Sequence, residues 1–221
     1  MDLIFMLTRD DQTVEDCLEV LEHIAPLNLG HIGFKDAGVS RHTLRELIRR
    51  IKSLPATCYL ELVSLDAADC VASAELAVEF GVDCLLGGVG AEQIQRRLDK
   101  TRVAYFPFPG IPEGHPTRLR GSAERVAEDC RRFEQLGCQG VDLLAFRAVE
   151  AAPLSLVRAA RAALCGRLIV AGSIDSPGRL AELSALGVSA FTVGTAAFEG
   201  TFSARHGLLR SQLKKILDAC R

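Results

Sequence analysis

Eight short apolar runs, each followed by an amphipathic helical stretch, recur along the 221 residues at a spacing of about 27 residues. That alternation, its regularity and the lack of a large insertion predict an α/β protein. The class is a (β/α)8 TIM barrel, one domain spanning residues 1–221, favoured over an open doubly wound sheet. The chain is shorter than the roughly 250 residues usual for such barrels, so most loops must be short.

The first strand is expected at Leu3–Thr8 and its helix at Val14–Ile24; the second strand, His31–Lys35, precedes a helix over Arg41–Leu54. Cys58–Val63 leads to Ala67–Phe80, Cys84–Gly87 to Ala91–Asp99, and Val103–Phe106 to Ser122–Leu136. Val141–Phe146 is followed by Pro153–Leu164, Leu168–Ala171 by Pro177–Leu186, and Phe191–Val193 by Leu208–Ala219. Gly81-Val82-Asp83, Gly140-Val141-Asp142 and Gly187-Val188-Ser189 form a faint repeat in which each glycine closes a helix as its left-handed C′ residue. Asp83 and Asp142 then stand at strand starts, where solvation or capping is expected of them. One loop is long. Pro107–Gly121 carries four prolines between strand five and its helix, with the length and chemistry of a segment covering an active site.

Lys and Arg number 26 against 28 Asp and Glu, so no basic face for nucleic acid is implied. No apolar run approaches the roughly 18 residues of a membrane span. The opening MDLIFMLTRDD lacks the basic region and long apolar core of a signal peptide, and a cytoplasmic location is expected. The eight cysteines contain no C-x-x-C pair and mostly fall in apolar patterns, so neither a zinc site nor a disulfide framework is expected. No other spacing suggests a metal site or a cofactor. A homo-oligomer is compatible with a small barrel, but no exposed apolar stripe specifies one.

The most specific stretch is LIVAGSIDSPGRLAELSALGVSAFTVGTAAFEGTF. Strand seven runs into Gly172-Ser173, and strand eight into Gly194-Thr195 before a short helical segment. Loops in these two places form a phosphate site in this fold: glycines admit the anion to the backbone, and N–H groups and hydroxyls donate to it. Ser176 and Pro177 read as N-cap and first residue of the next helix, which makes Asp175 structural.

This ending resembles that of the ribulose-phosphate-binding barrel superfamily, and is especially similar to the phosphoribosyl isomerases of histidine biosynthesis. Those end in a V-G-x-A-x-x-E-G-x-F run, which Val193-Gly194-Thr195-Ala196-Ala197-Phe198-Glu199-Gly200-Thr201-Phe202 matches almost throughout. The likeness covers about the last 40 residues. It implies a phosphorylated substrate held by Gly172, Ser173, Gly194 and Thr195. The isomerases' catalytic Asp residues at the ends of strands one and five have no counterpart in Leu7-Thr8-Arg9-Asp10 or Phe106-Pro107-Phe108, so their reaction is not carried over.

Strand parity selects the chemical residues. Ile32 and Phe34 should face the helices, turning Gly33 and Lys35 inward; Cys58, Leu60 and Leu62 should do the same, turning Tyr59 and Glu61 inward. Lys35 and Glu61 on neighbouring strands are therefore expected to meet. Lys35 suits either a Schiff-base nucleophile or a charged stabiliser of an enediolate, with Glu61, Asp36 or Asp10 moving protons. A structural ion pair is the plain alternative. Lys35-Asp36 bears a partial resemblance to the D-x-K-x-x-D array of the superfamily's decarboxylases. Asp10 either faces the barrel mouth or caps the next helix, Arg147 could hold a carboxylate or second phosphate, and His115 lies in the long loop. His23, His42 and His206 read as surface positions. These residues point to an enzyme acting on a small phosphorylated sugar or carbonyl compound, first an isomerase or epimerase, then an aldolase or decarboxylase-type lyase. The reading from another class is a phosphometabolite sensor without catalysis.

Overall fold

The computed structural model describes residues 1–204 and 207–220. His206 lies outside them. All eight expected strand–helix units form: β1 (Asp2–Met6) and α1 (Cys17–Ile24), β2 (His31–Lys35) and α2 (Arg41–Lys52), β3 (Thr57–Leu62) and α3 (Ala67–Phe80), β4 (Cys84–Gly87) and α4 (Ala91–Leu98). The second half runs β5 (Ala104–Phe106) and α5 (Ala123–Gln135), β6 (Gly140–Leu143) and α6 (Pro153–Ala163), β7 (Arg167–Val170) and α7 (Pro177–Ala185), then β8 (Ala190–Val193) and α8 (Leu209–Ala219). The strands are parallel in the order β6-β7-β8-β1-β2-β3-β4-β5. The barrel closes between β5 and β6 without a regular ladder. There Gln139 N–H donates to Tyr105 O (3.1 Å), Asp142 N–H donates to Pro107 O (3.0 Å), and the Gln139 side-chain oxygen accepts from Tyr105 N–H (2.7 Å).

Period-two alternation sorts the strand side chains into two apolar groups. Phe5, Ile32, Phe34, Leu60, Leu62, Val141 and Leu143 pack outward in the core shared with the helices. Ile4, Met6, Tyr59, Cys84, Leu86, Phe106, Ile169 and Ala190 fill the barrel interior. Polar inward residues stand at both ends of the barrel: Asp2 pairs with His31 and Arg167 at the lower end, Lys35 pairs with Glu61 at the upper end, and Asp142 lies on β6. Helix starts are fixed by side chains: Ser40 Oγ accepts from Thr43 N–H, Asp66 Oδ1 from Ala68 and Asp69 N–H, and Ser122 Oγ from Arg125 N–H. All eight cysteines are unpaired thiols and six are buried.

Two expectations need correction in the glycine repeat. Gly81 and Gly187 do follow their helices with positive φ (78° and 71°), and the next N–H bonds back into the helix. After α5 that role belongs to Gly137 (φ 87°), with Cys138 N–H on Phe133 O (3.0 Å). Gly140 lies inside β6, where a Cβ would run into the Arg167 carbonyl oxygen of β7. Gly140→Ala is expected to cost about 3 kcal/mol, the upper end for overpacking, read as a lowered urea midpoint. Asp142, two residues on, is accordingly not a solvated cap. It is fully buried inside the barrel. Asp83 matches its expectation, accepting from Cys58 N–H and pairing with Lys52.

The first unit also differs. Thr8–Arg9 and Gln12–Thr13 form an antiparallel hairpin, so α1 starts at Cys17 rather than Val14. Asp10 and Asp11 are its two turn residues, both with positive φ (51° and 59°), as a type I′ turn requires. The long loop after β5 folds as a second hairpin, Ile111–Glu113 against Arg118–Arg120.

Candidate active site

A cavity of about 830 Å³ opens at the C-terminal ends of the strands, and both hairpins and the two glycine loops line it. At its floor, Lys35 ends β2 and points inward, as parity predicts. Its backbone is clamped by Thr13, whose hydroxyl accepts from Lys35 N–H (2.9 Å) and donates to Lys35 O (2.7 Å). Its Nζ lies 2.8 Å from Asp11 Oδ1 and 3.0 Å from Glu61 Oε1, with all three side chains buried. Burial lowers the proton affinity of Lys35, but Glu61 and Asp11 outweigh it and hold the ammonium above the ordinary lysine value. The site therefore presents a cation, not a free amine.

Asp11 is the centre of this polar cluster. Its Oδ2 accepts from Arg147 Nη1 (2.7 Å) and from Thr117 N–H (2.8 Å) on the second hairpin. Burial opposes its charge, yet Arg147 and Lys35 hold its carboxyl well below the usual carboxylate range. Arg147 Nη1 also reaches Thr117 O (3.2 Å), so one guanidinium and one carboxylate pin the hairpin over the cavity. The Nε and Nη2 edge of Arg147 has no partner among the described residues. A Cβ on Gly172 would come within 2.7 Å of that Nε, so the guanidinium lies directly against the loop after β7.

Gly172 and Ser173 both have positive φ (79° and 55°), and Gly194 precedes the short helix Thr195–Phe198. A Cβ on Gly194 would stand 2.6 Å from Thr8 Oγ1, which is how closely this loop approaches the end of β1. The N–H groups of Gly172, Ser173, Thr195 and Ala196 have no acceptor among the described residues. Ser176 takes the N-cap position of α7 without a side-chain cap bond, and Asp175 pairs with Arg179 (2.9 Å).

The remaining sequence candidates are dispersed. Asp36 is not among the cavity residues: its Oδ1 accepts from Val63 N–H (3.1 Å), Ser73 bonds it too, and burial lifts its carboxyl above the ordinary value. Asp10 lines the mouth but is exposed on the turn; its neighbour Asp11 is the one that reaches Lys35. His115 is exposed at the hairpin tip and also lines the mouth. Asp142 has both carboxyl oxygens buried without a hydrogen-bond partner. Burial, then the nearby Glu61 charge, keeps it protonated far above the usual carboxylate range, against Lys35 and Arg147. Among the described residues no three His, Cys, Asp or Glu side chains are gathered to hold a metal ion. None of their helices is long and apolar enough to cross a membrane.

No family model matches the sequence, and no curated protein matches it significantly. Solved structures do. Orotidine 5′-phosphate decarboxylase from Pyrococcus horikoshii superposes with a TM-score of 0.70 at 13% identity, covering 99% of both chains. The likeness is one of fold. A native KDPGal structure (TM-score 0.68, 12% identity, 99% and 96% covered) shares it. So does the tryptophan synthase α2β2 complex from Pyrococcus furiosus (0.68, 14%, 99% and 97%). With these three the chain shares the (β/α)8 barrel fold over nearly its whole length.

Proposed function

We propose that the protein is an enzyme that forms a carbanion next to the carbonyl of a small phosphorylated compound. The observation that carries this reading is the Lys35 ammonium held between Asp11 and Glu61 in the same cavity as the two glycine loops. Free N–H groups at residues 172, 173, 195 and 196 would take the phosphate, with the Ser173 and Thr195 hydroxyls and the open edge of Arg147. Anchoring that end fixes the carbonyl end over β2 and β3. Lys35 then stabilises the developing enediolate oxygen, and Glu61, whose ion-pair partner is Lys35, takes the carbon-bound proton. Returning it to the neighbouring carbon is isomerisation; returning it to the other face is epimerisation. A charged Lys35 speaks against a Schiff base in this state. Asp36 and Asp10 are assigned no part in the proton transfer.

Cleavage is a second reading, favoured by the protonated Asp142 near Glu61, since a carbanion left by a departing fragment must gain a proton. The named decarboxylase with this fold is in keeping with it. Isomerisation, epimerisation and reversible aldol cleavage all predict exchange of the hydrogen next to the carbonyl, whereas decarboxylation would leave deuterium in the product only. Incubation with triose to hexose phosphates in D2O, followed by proton NMR, should wash out the signal next to the carbonyl of at least one compound, and not of its unphosphorylated counterpart. Binding without exchange would instead make the protein a sensor.

A further inference from the structure

Asp142 is the one fully buried acid whose oxygens find no partner among the described residues. Such a group forfeits hydrogen bonds, and an apolar residue would serve packing better. Its position is set by the barrel. Val141 and Leu143 face the helices, so Asp142 faces the interior. Glu61 is in register with Leu86, Leu86 with Phe106, and the residue after Phe106 accepts the Asp142 N–H. The two carboxyls thus face the axis at neighbouring levels, and Glu61 is itself in register with Lys35. Glu61, Lys35 and Arg147 are the charged groups that act on Asp142.

We propose that Asp142 and Glu61 form a carboxyl pair holding a single proton, kept on Asp142 at rest and passed to Glu61 when the reaction needs an acid. The inference rests on the cleavage form of the carbanion reading, in which the departing fragment leaves Glu61 unprotonated and the carbanion in need of a proton. A substrate oxyanion that takes over the Lys35 ammonium releases Glu61 from its 3.0 Å contact and frees it to turn toward β6. The proton then leaves the Asp142 carboxyl for Glu61, and Glu61 delivers it to the carbanion, forming the new C–H bond. Asp142 is left as the anion and is reprotonated from water. Burial and, after it, the Glu61 charge both disfavour an anionic Asp142, which is why the proton rests there. Asp142 is a positioning residue, acting only through Glu61.

Infrared difference spectroscopy tests this without a substrate. The wild type at pH 7 should show the carbonyl band of a protonated carboxylic acid, and Asp142→Asn should lack it. In Glu61→Gln the negative neighbour is gone, so the band should vanish at a pH lower by about one unit or more. No wild-type band, a band that survives Asp142→Asn, or an unchanged pH response in Glu61→Gln overturns the proposal. Asp142→Val checks folding: it should bind inorganic phosphate like the wild type and gain stability over it as pH rises above 3.8, because the unfolded chain ionises there and the buried acid does not. If the band behaves as expected but no phosphorylated carbonyl exchanges deuterium, the carbanion reading fails and the carboxyl pair stands. Exchange without the band has the opposite meaning.

Discussion

Lys35→Met is expected to lower deuterium exchange into a phosphorylated carbonyl compound by about 10²–10³-fold, the cost of removing one preorganised stabiliser of a developing oxyanion. Inorganic phosphate should bind the variant nearly as well as the wild type, because the N–H groups that would take it belong to the loops after β7 and β8 and not to β2. Isothermal titration with phosphate and exchange followed by NMR separate the two effects. The change also leaves Asp11 and Glu61 buried with one cation fewer. Breaking a buried pair in that way costs roughly 3–5 kcal/mol, so the urea midpoint should fall as well. Retained exchange in a folded variant would remove Lys35 from the chemistry. Lys35→Arg is the informative companion: it keeps the charge but spreads it over a planar fork that the Asp11–Glu61 gap was not shaped for.

Asp11→Asn should disturb three elements at once. The carboxylate accepts from Lys35, Arg147 and Thr117, and an amide oxygen can replace only the last of these well. A loss of about 3 kcal/mol is expected, with faster hydrogen exchange at the Thr117 and Leu119 amides as the hairpin loosens. The pH dependence has a definite sign. The folded carboxyl is held below its unfolded value of 3.8, so its contribution is complete above that pH and declines as pH falls further. Wild-type stability should therefore drop below pH 3.8, and the drop should be smaller in Asp11→Asn. Equal acid sensitivity of the two proteins would show that Asp11 does not anchor the cluster.

Much of this arrangement can be read in the amino acids. The eight units follow from the repeated switch between strand and helix periodicities, and the Lys35–Glu61 meeting follows from parity on two neighbouring strands. The same rule applied to Val141-Asp142-Leu143 places Asp142 inside; reading Gly140 as a helix end hides it, because Gly137 already fills that role. The first hairpin is a harder case. Two consecutive Asp residues look interchangeable in sequence, but a type I′ turn sends their side chains in different directions, so Asp11 enters the barrel and Asp10 stays in water. Asp36 fails for the opposite reason: one residue past Lys35, it points to the other side of the strand, toward Val63 after β3 and Ser73 in α3. Contacts such as Thr117 on Asp11 span 106 positions and leave no local trace.

The seam between β5 and β6 has its own consequence. Every other junction of the barrel is a continuous ladder, whereas this one relies on two backbone bonds and a glutamine side chain. One of those two bonds belongs to Asp142. Local breathing of the wall costs least where the fewest bonds must part, and here the parting would carry the buried acid to the edge of the gap. A catalytic cycle that spends the Asp142 proton thus has its refill point built into the weakest join of the wall, and the pace of proton recovery becomes a property of the fold as well as of the acid.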